Sequence, residues 1–392
     1  MAVSSISTSF IEEFESGVHM AYQRMGSKLK NTIRNTQVSG NTVRFQKIGT
    51  GTASTKSRNG MITPMELAHT TVEATLAEAQ SEIGIVPKEA ADKNPLWVLP
   101  VNLKKIINWF IFSYIFSWNL FYLFIAFIAY YFFTPPMSEM TIFSAGWISE
   151  ILLRNYVMGT IFFSLIHIPL YISKSQGIKF KFNPNWPEKI QKLFTFNKQI
   201  FDNLFWSLFW GVPIWTAYEV ISLWLYASGK IPFIEFSESP IYFFLILLLI
   251  PAFRDAHFYL VHRFLHFKFM YKIAHSVHHR NINPGPWSSL SMHPIEHLLY
   301  FSGVIIHWII LSHPLHAIYH LFHAGLGSAN GHIGFKQMLL NDKHAIDLSN
   351  YNHYLHHKYF EVNYGNLMIP FDQWFGTYHD GSDDLHQKML KN

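Results

Sequence analysis

The chain has 392 residues, of which 49% are apolar and 14% charged, with 36 Phe, 19 Tyr and 12 Trp. A soluble domain carries about 25% charged residues, so this is the composition of a membrane protein. The net charge of +5 is small and sits mostly in loops, which argues against a nucleic-acid partner. The complete absence of cysteine excludes disulfides, thiolate metal sites and iron–sulfur clusters.

Residues 1–95 are polar, rich in Ser, Thr and Gly, and without a strong hydrophobic period. Glu12, Glu13 and Glu15, with no apolar core beside them, argue against a cleaved signal or transit peptide. The segment reads as a partly ordered cytosolic extension. Within it, residues 9–24 predict a short amphipathic helix. Residues 64–82, "PMELAHTTVEATLAEAQSE", predict another helix with Pro64 in its first turn.

From Ile106 to Phe133 the chain is apolar and nearly uncharged, longer than the roughly 20 residues a spanning helix needs. Tyr156–Ser173, Asn203–Ser228 (with Glu219 near its middle) and Ile241–Val261 predict three further spans. Residues 297–312 form a shorter apolar stretch, a fifth element that is either spanning or re-entrant. The connection after the second span holds Lys174, Lys179, Lys181, Lys189, Lys192 and Lys198, whereas 135–150 holds no lysine. By the positive-inside rule the N-terminus, the 174–198 loop and everything after His262 face the cytosol. The expected fold is an all-α integral membrane protein of four or five transmembrane helices under a cytosolic histidine-rich helical cap. Residues 1–95 are its extension, 96–240 carry spans one to three, 241–380 carry the site, and 381–392 are a tail.

Only three of the 23 histidines precede His257. His262 and His266 are four apart and so share one helical face. "HSVHH" (His275, His278, His279) and "HYLHH" (His353, His356, His357) repeat one spelling. On a helix the adjacent pair straddles the direction of the first histidine, so one turn can serve two neighbouring ions. His332, in "GHIGF", completes the set. Nine imidazoles exceed the four that close a structural zinc site and suit two ions with four or five ligands each. The residues alone leave iron and zinc open. Lone histidines in apolar stretches, such as His167 and His307, read as packed or hydrogen-bonded side chains.

"HRFLH", "HSVHH" and "HYLHH" resemble the three histidine boxes of the membrane-bound fatty acid hydroxylase and sterol desaturase superfamily. "HPIEH", "HIGF", "NYG" and "DQWFGT" match as flanking words, so the resemblance covers about 240–380 and leans toward the sterol desaturase-like branch. It implies nine ligands: His262, His266, His275, His278, His279, His332, His353, His356 and His357. Some relatives carry a further histidine where Lys336 stands here, and His293 or His257 is the substitute candidate. Asp255, Glu296 and Asp347, with Asp342 and Asp372, are candidates to orient the ligating imidazoles. Trp287 is a candidate substrate contact.

The resemblance further implies two iron ions, replaceable by zinc on purification, with O2 as co-substrate. It implies hydroxylation or desaturation of a C–H site on a sterol or fatty-acyl lipid drawn from the bilayer. The electron donor must be separate, a cytochrome b5-type protein or a ferredoxin with its reductase, and Lys174, Lys179 and Lys181 offer it a basic dock. The membrane would be the endoplasmic reticulum in a eukaryote and the inner membrane in a bacterium. The alternatives are a non-catalytic relative serving as a complex subunit and a histidine-rich metal-binding or transport protein.

Overall fold

The computed structural model describes residues 42–48, 69–75, 94–187, 192–341, 343–348, 351–366 and 368–382, together with 385, 386 and 389. Four helices are long and apolar enough to cross a membrane: Leu103–Phe133, Ala145–Ile172, Gln199–Ala227 and Pro240–Leu265. Apart from a break in the first span, they close their backbone hydrogen bonds within themselves, which the hydrocarbon layer demands. Outward faces stay apolar, as at Phe124, Ile161, Phe209 and Leu249, while inward faces form one large core. The protein is an all-α integral membrane protein, with two short two-stranded sheets as its only strands among the described residues.

The second span begins earlier than hydropathy suggests, because Arg154 lies inside it. Arg154 and Glu219 of the third span are both buried and pair directly. Arg154 also donates to Thr134 Oγ1 (2.7 Å), and Asn155 donates to Glu219 Oε2 (2.9 Å). Mutual neutralisation and a full set of partners let two charges sit where one alone would be prohibitive. Residues 297–312 are not a fifth span. They fold as a helix, Pro294–Phe301, running into a 3-10 turn, Ser302–Trp308. The next segment, Pro314–Gly325, is a helix with every residue buried, wedged against the first, third and fourth spans. Its three histidines hid its helical period.

The expected helix over 64–82 is contradicted. His69–Thr75 is a strand, paired antiparallel with Thr42–Ile48 in the register Phe45↔Val72. "HTTVEAT" is rich in β-branched residues, which prefer extended backbone. The helix expected over 9–24 lies outside the described residues.

The first span is interrupted. A helical turn, Leu103–Asn108, continues as a π-helix, Trp109–Ile115; Phe116 then leaves helical geometry and Ser117 is extended before the helix resumes at Trp118. Asn119 re-satisfies the break by donating to the Tyr114 carbonyl (2.8 Å). The interruption flanks a cavity of about 350 Å³, lined by Trp118 and Asn119 on one side and by Pro251, Arg254 and Phe258 of the fourth span on another.

Candidate metal centre

Histidines from four segments meet at one end of this cavity. His262 lies in the last turn of the fourth span and His266 caps it. His275 ends a π-turn, Tyr271–His275, and His278 and His279 open a 3-10 turn. His332 closes the short helix Ala329–His332, and the helix Tyr351–Tyr359 presents His353, His356 and His357. Gly331 makes the approach possible: a Cβ there would stand 2.8 Å from His353 Cδ2. Gly334, at φ 77°, turns the chain where a Cβ would meet the Tyr171 hydroxyl at 2.5 Å.

The nitrogens sort into two sets. His262, His266, His275, His279 and His356 form one; His278, His332, His353 and His357 form the other. The two five-residue repeats therefore divide in mirror fashion. In the first, positions one and five join the larger set and position four the smaller; in the second the assignment reverses. His279 of one set and His357 of the other have ring centroids only 4.9 Å apart, so the sets adjoin.

In the larger set His266 Nε2 lies 3.1 Å from His275 Nε2, 3.2 Å from His279 Nε2 and 3.1 Å from His356 Nε2. In the smaller, His332 Nε2 lies 3.0 Å from His278 Nε2 and 3.1 Å from those of His353 and His357. A neutral imidazole nitrogen carries one hydrogen or one lone pair, so no hydrogen-bond scheme satisfies three such neighbours. A central cation does. The spacing matches the roughly 3.0 Å expected of ligands at right angles about 2.1 Å from an ion, and falls short of the roughly 3.4 Å of a tetrahedral set.

The far sides of the rings fix the tautomers. His262 Nδ1 donates to the Tyr364 carbonyl (2.7 Å), His332 Nδ1 to that of Ser328 (2.9 Å) and His356 Nδ1 to that of Val362 (2.6 Å). His275 Nδ1 donates to Glu296 Oε1 (2.7 Å). With the hydrogen held at Nδ1, the Nε2 lone pair is free for a metal. Burial disfavours the charged form throughout. It lowers His275 to about 3 and His332 to about 4, and holds His266, His278, His279, His353, His356 and His357 well below the ordinary range, with neighbouring imidazoles adding to the effect. Burial raises the Glu296 carboxyl well above its ordinary value. The donor set, neutral, nitrogen-only and convergent, fits a pair of borderline transition-metal ions.

Several expected site residues stand elsewhere. His257 bonds Ser302 Oγ (3.0 Å); five residues before His262, it points about 140° away around the helix. His293 caps the Pro294–Phe301 helix by accepting from Ile295 N. Asp255 lines the cavity but accepts from Ile369 N (2.9 Å) and bonds no imidazole of the two sets. Asp347 is exposed, and its carbonyl receives the Trp118 indole N–H. Trp287 is buried against Phe163 and does not line the cavity. Asp342 lies outside the described residues. Asp372 acts one step removed: its oxygens receive Tyr364 N, Gly365 N and the Thr377 hydroxyl, fixing the loop whose carbonyl holds His262. The orienting carbonyls of Ser291, Ser328, Val362 and Tyr364 left no sequence signal, since every residue has one.

The fatty acid hydroxylase family matches residues 247–377, and these residues contain all nine convergent histidines. The similarity to the fatty acid hydroxylase family is confined to this region. The hydroxylase region is similar to the Delta(7)-sterol 5(6)-desaturases of Candida glabrata (31% identical over 144 residues, 36% of this chain and 37% of that one) and Saccharomyces cerevisiae (30% over 145 residues, 36% and 38%). The enzyme of Candida albicans is 28% identical over 144 residues, covering 36% and 35%. The match thus spans less than two-fifths of each relative. Residues 6–93 match a phage capsid protein family. No solved structure matches the chain.

Proposed function

We propose that the chain is an oxygen-dependent lipid hydroxylase or desaturase whose two histidine sets hold two iron ions. The observation that carries this reading is the convergence of nine Nε2 atoms into adjoining groups of five and four. Five donors exceed a tetrahedral zinc shell. When bound, the iron pair would supply the activation of O2 needed to oxidise an unactivated C–H bond. The protein's part is positional. Glu296 and the backbone carbonyls hold His262, His275, His332 and His356 in one tautomer, and Phe258, Val261, Leu265 and Met292 give the cavity apolar walls that exclude water from the reacting carbon. Similarity to sterol desaturases favours a sterol-like substrate over an unbranched acyl chain.

Electrons would come from a separate cytochrome b5-type protein, or a ferredoxin with its reductase, at the cytosolic surface of the endoplasmic reticulum. The proposed dock loses one member. Lys181 is buried, donating to the carbonyls of Asn183 (2.7 Å) and Asn185 (2.9 Å) and to Asn283 Oδ1 (3.0 Å). Lys174, Lys179 and Lys198 remain exposed for that role. The decisive experiment pairs metal analysis of the purified protein with lipid profiling of a host with and without the gene. Two irons per chain and a lipid changed by one oxygen or one double bond are expected. A metal-free protein, or an unchanged lipid profile, would remove the reading.

A further inference from the structure

Arg254 lies inside the fourth span, is 9% exposed, and lines the cavity that ends at the histidines. A guanidinium at membrane depth is costly unless it is paired, and such residues are by default functional. Arg154 pairs directly with a carboxylate; Arg254 has Asp255 nearby but, among the described residues, no direct ion pair. Its only hydrogen bond among the described residues runs from Nη2 to the Tyr300 hydroxyl, which itself donates to the Ala324 carbonyl (2.8 Å). The guanidinium carbon lies 5.3 and 5.6 Å from the ring centroids of Phe258 and Tyr300, two perpendicular rings that adjoin each other 6.0 Å apart. A guanidinium has five N–H donors, so among the described residues four have no protein acceptor, beside a cavity whose walls are otherwise largely apolar.

We propose that Arg254 is the polar anchor of the substrate cavity and binds the oxygen of a long apolar alcohol. This rests on the lipid-oxidase reading and names its substrate class. The alternatives within the lipids are a hydrocarbon, which offers the guanidinium nothing, and an anionic lipid. Asp255 and Asp347 line the same cavity, so an anionic headgroup would meet two aspartates for one guanidinium. A neutral hydroxyl accepts from Arg254 without that conflict. Arg254 and His262 are eight residues apart on one helix, about 12 Å along its axis. A molecule anchored at Arg254 would therefore present a carbon well inside its skeleton, and not its far terminus, to the histidine sets.

The test uses the full-length, metal-loaded protein in lipid nanodiscs, with a saturated 3-hydroxysterol and the matching 3-deoxysterol as probes and equilibrium binding as the readout. Wild type is expected to bind the alcohol roughly tenfold or more tighter than the hydrocarbon, the scale of one charge-assisted hydrogen bond. Arg254→Met should erase that preference while keeping wild-type metal content, and Arg254→Lys should restore part of it. Equal binding of both probes by wild type overturns the proposal, as does a preference that survives in Arg254→Met. If Arg254→Met fails to fold, Arg254→Lys decides: an undiminished preference there also overturns it. Neither measurement needs turnover, so failure here leaves the oxidase reading standing, whereas absence of metal from wild type would sink that reading.

Discussion

Two populations of buried histidine lie side by side in this protein and are held in opposite ways. In the cap, Nε2 atoms of several rings face one another around two centres. In the bundle, His307, His313, His316, His320 and His323 each meet an oxygen, a backbone N–H or a single neighbouring ring. His316 accepts from His313 N and donates to the Phe243 carbonyl (both 3.1 Å), and His313 accepts from Leu315 N. His307 meets His320 (3.2 Å), and His323 meets Asn119 Oδ1 (2.8 Å). These five rings find ordinary, single partners, whereas the cap nitrogens converge in groups of five and four. Burial and residue type are shared, so what separates a metal site from a polar core is whether several ring nitrogens crowd one point, where no hydrogen-bond scheme can close.

The sharpest way to break that contrast is to delete one member of each population. His332→Ala removes the nitrogen central to the smaller set, and its iron content should fall by roughly half, with activity at background. His316→Ala leaves one carbonyl and one N–H unpaired in the core, so it should cost about 2–4 kcal/mol of stability while the folded fraction keeps its metal. Elemental analysis and thermal melting in nanodiscs measure both. If His332→Ala retains two irons, or His316→Ala loses them, the division is wrong.

A smaller effect is expected at Glu296, the one carboxyl group that touches a cap imidazole among the described residues. Glu296→Gln keeps the shape but weakens the acceptor at His275 Nδ1, which should lower metal affinity about 10- to 100-fold. A chelator titration would show this as earlier metal release. Release indistinguishable from wild type would mean that Glu296 only fills space.

Much of this was legible in the residues. The repeated spelling foretold that one turn presents imidazoles to two neighbouring sets, because the angular step between neighbours is fixed by helix geometry. Glu296 was legible from its place in the helix that follows the first repeat. Arg154 was misread because hydropathy treats a charge as a stop, whereas its partner Glu219 is 65 residues away in sequence. Arg254 was passed over beside Asp255, since no local pattern distinguishes a cavity wall from a lipid-facing one. The Pro314–Gly325 helix was missed because three histidines mask an apolar period that only burial on all sides explains.

Lys181 gives the last and smallest test, since it ties the cap together without touching a metal set. Its three acceptors belong to two loops, residues 183–185 and Asn283, while the flanking backbone pairs Phe182 N with the Gly334 carbonyl and Lys336 N with that of Phe180. Asn283 follows the first repeat and Gly334 follows His332, so this lysine braces both sides of the smaller set. Lys181→Met leaves buried acceptors without a donor, and a loss of about 2–4 kcal/mol is expected in thermal melts. The pH dependence has a definite sign. Burial lowers the Lys181 ammonium from 10.5 to about 7, so between those values the unfolded chain holds more protons than the folded one. Stability should then rise with pH from about 7 toward 10, and that slope should vanish in Lys181→Met. An identical slope in the variant would mean that the ammonium stays charged in its box, its three acceptors outweighing the desolvation, and the brace would then be ionic at every pH in that range.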